Sequence, residues 1–68
     1  MRIKVDEEAK SAYIYIKDEV KKGEVKKTKA LNDEIILDFD KDGKLIGIEI
    51  LNAVKYLPKK TLEMAVAH

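Results

Sequence analysis

No cysteine occurs among the 68 residues, and the only histidine is His68, the last one. Disulfides and thiolate zinc sites are therefore excluded together, and no histidine cluster exists to hold a transition metal. Ser11 is the sole serine and Thr28 and Thr61 the only threonines, with no internal imidazole to activate them. A phosphate loop is missing too, because Gly43-x-x-x-Gly47 lacks the Gly-Lys-[Ser/Thr] ending. Carboxylates are plentiful, but acid–base work needs a pocket that separates their pKa values. These carboxylates fall on an expected solvent face or turn. The expectation is no enzyme, no cofactor and no metal.

Long hydrophobic runs are also missing. Stretches such as AYIYI and EIIL are far below membrane-spanning length, and no signal peptide is recognisable. A cytoplasmic protein without a membrane partner is expected. Charge of one sign is not in excess: 14 basic and 13 acidic residues leave a net charge of +1, which argues against nucleic-acid binding by bulk charge. With 40% charged residues and no glutamine, the composition resembles that of heat-adapted proteins.

What is present suffices for one domain, residues 1–68. A chain of this size buries only about 60% of the surface its unfolded form exposes. Small proteins supplement such a core with disulfides, metals or a partner subunit, and here oligomerisation or unaided packing remains, with a carboxylate-bound ion as the third route. RIKV (2–5) alternates, DEEAKS (6–11) breaks the pattern, and AYIYIKD (12–18) carries a strong strand signal. After the loop EVKKG (19–23), EVKKTKAL (24–31) reads as a weaker, lysine-rich strand whose imperfect alternation points to an edge position or a bulge, followed by a turn at LND (31–33).

EIILDFD and KLIGIEIL then flank Asp42-Gly43, a strong hairpin signal. A two-residue type I′ loop pairs Phe39 with Ile46, Leu37 with Ile48 and Ile35 with Ile50, all on one face. A three-residue loop over 41–43 would instead mix Asp38 and Glu49 with the aliphatics. Asp38, Asp40, Asp42, Gly43 and Glu49 also fit a calcium-loop spacing. Both flanks alternate like strands, however. On a strand, Asp42 and Glu49 lie roughly 20 Å apart, too far to share an ion. The hairpin is the preferred reading. From Asn52, a good N-cap, residues 52–68 show helical spacing, with Pro58 ending a first piece and opening a second.

DEEAKSAYIYI together with LDFDKDGKLIGIEILNA resembles the YuzE-like family of small bacterial and archaeal proteins of unknown function. Asp6, Glu8, Ala9, Tyr13 and Ile14 match one family segment. Asp38, Asp40, Asp42, Gly43, Gly47, Ile48, Glu49, Ile50, Leu51 and Ala53 match another. Val5 and Glu7 depart from the Tyr and Pro usual there. The resemblance implies a small antiparallel sheet with a C-terminal helix and no established activity. Some members look like antitoxins paired with small toxin-like proteins.

The expected fold is α+β: an antiparallel β-meander of four or five strands with a C-terminal helical segment on one face. If Ile14, Ile16, Ile35, Leu37, Phe39, Ile46, Ile48 and Ile50 meet that helix, then Tyr13, Tyr15, Ile36, Leu45, Glu49 and Leu51 point the other way. One helix cannot cover both faces, and tyrosines favour interfaces. The expected function is protein–protein association through this second face, with another copy as the simplest partner and a small toxin-like protein as the narrower one. A different class is kept open. Residues 17–30 carry net charge +3 and residues 31–50 net −4, so Lys26, Lys27 and Lys29 are the candidate contacts if nucleic acid is bound.

Overall fold

The computed structural model describes residues 1–67. Five strands pair antiparallel: β1 (Arg2–Asp6), β2 (Ser11–Tyr15), β3 (Lys27–Ala30), β4 (Ile35–Phe39) and β5 (Leu45–Ile50). Two short helices follow, α1 (Ala53–Tyr56) and α2 (Lys59–Met64). A two-residue strand, β6 (Val66–Ala67), then returns parallel to β1. The spatial order is β3-β4-β5-β2-β1-β6. This is the expected α+β architecture. Two connections are not between neighbours: β5 lies against β2, so the segment joining β2 to β3 passes the β4–β5 hairpin to reach the far edge, and α1 and α2 carry the chain from β5 past β2 and β1 to β6.

Local chemistry explains most boundaries. Asp6 Oδ1 accepts the Ala9 N–H at 3.0 Å, and Lys10 takes φ 58° to bring the chain back into β2. Asn32 Oδ1 accepts the N–H groups of Glu34 and Ile35 at 2.7 and 2.8 Å, an Asx-type turn that starts β4. The lysine-rich strand is an edge, as expected, and all four of its residues are exposed. Lysines there discourage pairing with a stray strand.

The central hairpin differs from the two-residue type I′ loop. Of the hairpin residues only Gly43 has positive φ, +78°, so Asp42 does not adopt the left-handed conformation that type I′ requires. The Gly43 N–H instead donates to the Asp40 carbonyl at 3.0 Å, and the Asp40 N–H donates to the Lys44 carbonyl at 2.9 Å. The Asp40 carboxylate accepts N–H bonds from both Asp42 and Lys44, at 2.9 and 3.0 Å. This is a three-residue loop, 41–43, held by an aspartate at its base. The pleat survives because the register shifts between Asp38 and Phe39: Phe39 faces Leu45, whereas Asp38 faces Gly47. Ile46 is the extra residue of a bulge. The expected pairs Ile35–Ile50 and Leu37–Ile48 therefore form, while Phe39 does not face Ile46. Leu45 moves with its partner onto the aliphatic face.

The helical segment is shorter than expected. Asn52 does not cap α1, since its φ and ψ of −129° and 76° do not aim the side chain at the first turn. The Ala53 N–H goes to the Lys10 carbonyl at 3.1 Å. Pro58 precedes α2, as expected, but Ala65 is already extended. His68 lies outside the described residues. Among the described residues no helix is long and apolar enough to cross a membrane.

The helices lie on the aliphatic side of the sheet, where Ala53 and Leu62 border one groove with Val5, and Thr61 and Ala65 border another with Ile3. At the opposite end Tyr56 Oη donates to Glu34 Oε1 at 2.8 Å, and Lys55 Nζ lies 3.1 Å from the same oxygen. The core beneath is thin. Among described hydrophobic residues only Ala12, Ile46, Ile50 and Ala53 are buried, and Ile16, beyond the end of β2, is 40% exposed.

Candidate interaction surface

The other face of the sheet can be written as two rows that run across the strands. Register places Lys4, Tyr13, Glu49, Ile36 and Ala30 side by side in one row. Arg2, Tyr15, Gly47, Asp38 and Thr28 form the next. Partners across an antiparallel ladder share a face, so these side chains stand together, opposite the helices. Each row begins with a base on β1, continues with an aromatic on β2 and reaches an acid on β5 or β4.

Side-chain geometry knits the rows together. The Tyr13 and Tyr15 rings meet edge to face, with centroids 4.8 Å apart and planes at 71°. The Arg2 guanidinium lies 4.4 Å from the Tyr15 ring centroid, and Lys4 Nζ lies 5.5 Å from it. Such cation–π contacts are worth about 0.5–1 kcal/mol at exposed sites. Tyr13 reaches across the sheet in the other direction, donating from Oη to Asp38 Oδ2 at 2.8 Å. Thr28 Oγ1 donates to Asp38 Oδ1 at 3.0 Å, so both carboxylate oxygens are engaged.

Gly47 makes this reach possible. A Cβ there would overlap the Tyr13 hydroxyl and Cζ and lie 2.8 Å from Cε2. The phenol ring thus lies directly on the β5 backbone between β2 and β4.

Burial, followed by the hydrogen bond to Asp38 and the nearby negative charge, pushes the Tyr13 phenol well above its ordinary value of 10.0. Its neutral form is held by the fold. The associated stability is complete below the phenol's ordinary pKa and is lost as pH rises through the folded-state value. In an absorbance titration, the difference between wild type and Tyr13→Phe is expected to show one phenolate appearing above the normal range. A difference curve centred near pH 10 would mean that the Tyr13–Asp38 contact is absent in solution.

Of the residues expected on this face, Tyr13, Tyr15, Ile36 and Glu49 are brought together. Leu45 is not, for the bulge turns it to the other side. Leu51 lies one residue past the end of β5, 41% exposed, with its N–H on the Glu34 carbonyl at 2.7 Å. Lys27 and Lys29 stand opposite Phe39 and Leu37, on the face away from the tyrosines, and the Lys26 N–H is bound by the Phe39 carbonyl at 2.9 Å. Sequence reasoning missed Arg2, Lys4, Thr28 and Asp38 as members of the surface. The first two were recoverable, since pairing RIKV with AYIYI across a hairpin sets bases beside tyrosines. Asp38 and Thr28 depend on contacts between distant segments. Among the described residues no group of three or more His, Cys, Asp or Glu is placed to hold a metal ion.

The molecule is also larger in surface than its mass calls for. It exposes 5058 Å², against about 4,400 Å² for a compact monomer of 7.8 kDa, an excess of about 700 Å². Its extents of 33 × 24 × 18 Å describe a slab of two layers.

Residues 2–53 match a family described as "Protein of unknown function (DUF2283)". The chain is 42% identical over 55 residues to the "Uncharacterized protein MJ0789" of Methanocaldococcus jannaschii, an alignment that covers 81% of this chain and 45% of that protein. The chain thus spans about half the length of that curated relative. No solved structure matches.

Proposed function

The chain belongs to this family of proteins of unknown function, whose description carries no activity, and from the geometry we propose a non-catalytic module that self-associates through the tyrosine face of its sheet. The observation that carries this reading is the patch of half-buried Tyr13, Tyr15 and Ile36, spread over two adjacent rows on the side of the sheet that the helices leave open. Covering such a patch removes apolar surface that the small core cannot shelter. An antitoxin-like role is the narrower form, in which the same face would receive a small toxin-like protein.

The nucleic-acid reading has less support. Lys27 and Lys29 face away from the tyrosines, so the lysine edge and the aromatic rings do not form one stacking platform. Weakening of salt-sensitive DNA or RNA binding by neutralising Lys26, Lys27 and Lys29 would favour it.

Solution mass decides the main proposal. Light scattering is expected to return twice the chain mass for the wild type and a single chain mass for Ile36→Asp, with circular dichroism unchanged. Ile36 is preferred to Tyr13 as the probe because Tyr13 also holds the sheet together through Asp38. A wild type that stays monomeric at its highest soluble concentration would refute self-association.

A further inference from the structure

Resting on that self-association reading, we infer that the two copies pack face to face about a two-fold axis that runs parallel to the strands, along the line between β2 and β5. That line is the middle of the sheet, with β3, β4 and β5 on one side and β2, β1 and β6 on the other. An axis there gives the largest overlap of the two faces. It sets β2 over the partner's β5 and β1 over the partner's β4.

Charge selects this axis over the alternative. Both rows run from base to acid in the same direction across the strands, through Arg2 to Asp38 and through Lys4 to Glu49. A two-fold axis parallel to the strands reverses that direction in the second copy and keeps the rows in register. Arg2 then stands over the partner's Asp38, and the same contact recurs by symmetry. Lys4 stands over the partner's Ile36 and extends its ammonium toward the partner's Glu49, one strand or about 4.8 Å to the side. An axis perpendicular to the strands would keep the direction and lay β1 on the partner's β1, base against base. Like charges set face to face suppress association.

The aromatic rows fit the same arrangement. Tyr15 falls over the partner's Gly47, which has no side chain of its own and is covered by the partner's Tyr13 ring. Packed sheets about 10 Å apart leave room for one ring from each copy in that layer.

Charge reversal tests the axis. Arg2→Glu with Lys4→Glu, and separately Glu49→Lys, are each expected to weaken the homodimer by about tenfold or more in sedimentation or light scattering. Mixing the two variants is expected to give a heterodimer in preference to either homodimer, weaker than the wild-type dimer because Arg2→Glu still meets the partner's Asp38, detected by native mass spectrometry, while circular dichroism reports that both chains stay folded. Asp38 is left unchanged because it anchors Tyr13 and Thr28. If the β1 double variant dimerises as tightly as wild type or more tightly, or if the mixture shows no preference for the heterodimer, the axis is wrong. If Ile36→Asp still dissociates the wild-type dimer in that case, self-association stands without it. A monomeric wild type overturns both.

Discussion

Gly47→Ala is expected to cost about 3 kcal/mol, although it adds one methyl group to a β-strand. On conformational grounds alone the change should help, since glycine in a strand interior is less favourable than alanine by about 0.5–1 kcal/mol. The surroundings reverse the sign. The new Cβ would occupy the position of the Tyr13 hydroxyl and ring edge, 2.8 Å from Cε2. Either the ring swings off the sheet and gives up its bond to Asp38, or β5 shifts against β2. Overpacking costs about 1–3 kcal/mol, and a hydrogen bond to a charged group contributes about 1.5–3.

For a domain of 68 residues, whose total stability is on the order of 3–10 kcal/mol, that loss lowers the melting temperature by roughly 12–24 °C. The diagnostic experiment is the double variant. In a Tyr13→Ala background, Gly47→Ala meets no ring, so thermal unfolding should show it neutral or slightly stabilising. If Gly47→Ala costs the same in both backgrounds, Tyr13 is not what requires the glycine.

Ile50→Ala should be comparably severe for a different reason. Ile50 is 5% exposed, opposite Ala12 on one side and Ile35 on the other. Truncating a buried isoleucine to alanine removes its transfer free energy and leaves a cavity, together about 2–5 kcal/mol. In a core with so few buried members, that approaches the whole stability of the chain. Urea titration is expected to show the midpoint collapsing toward zero with a partly unfolded baseline. Val54 supplies the contrast: it is 72% exposed, and Val54→Ala should fall within about 0.5 kcal/mol of wild type. An Ile50→Ala loss below about 1 kcal/mol would mean that the center of the core lies elsewhere.

The two variants also separate the two faces. Ile50→Ala acts on the aliphatic side, beneath the helices, and Gly47→Ala acts on the tyrosine side. A protein that associates through the tyrosine face should lose affinity with Gly47→Ala in proportion to the displacement of the Tyr13 ring. The mild contrast variant Val54→Ala should leave association unchanged.

Much of the candidate surface was legible from alternation. Tyr13 and Tyr15 share a parity in one strand, Ile36 and Glu49 share a face once Ile35 is opposite Ile50, and the open side follows from having one short helical segment. Where the reading failed, the cause was a single residue. Counting back from Asp42-Gly43 gives one register; the bulge at Ile46 gives another near the loop and restores the first beyond it. That shift puts Leu45 opposite Phe39 on the aliphatic side rather than among the tyrosines. The calcium-like spacing of the acids dissolves into separate duties: Asp40 ties the loop and Asp38 receives Tyr13 and Thr28.

The amino-acid sequence by itself determined what short-range physics can encode: which segments are extended, where glycine and asparagine turn the chain, which parity is aliphatic, and that no thiol or internal imidazole is available. Only the tertiary structure decided that β5 lies beside β2 and β3 at the far edge, because hydrogen-bond pairing between distant strands leaves no periodic trace in either one. The same holds for Gly47, whose missing side chain is explained by a tyrosine 34 positions earlier in the chain. Alternation records which way a side chain points, and a neighbour exists only once the strands have met.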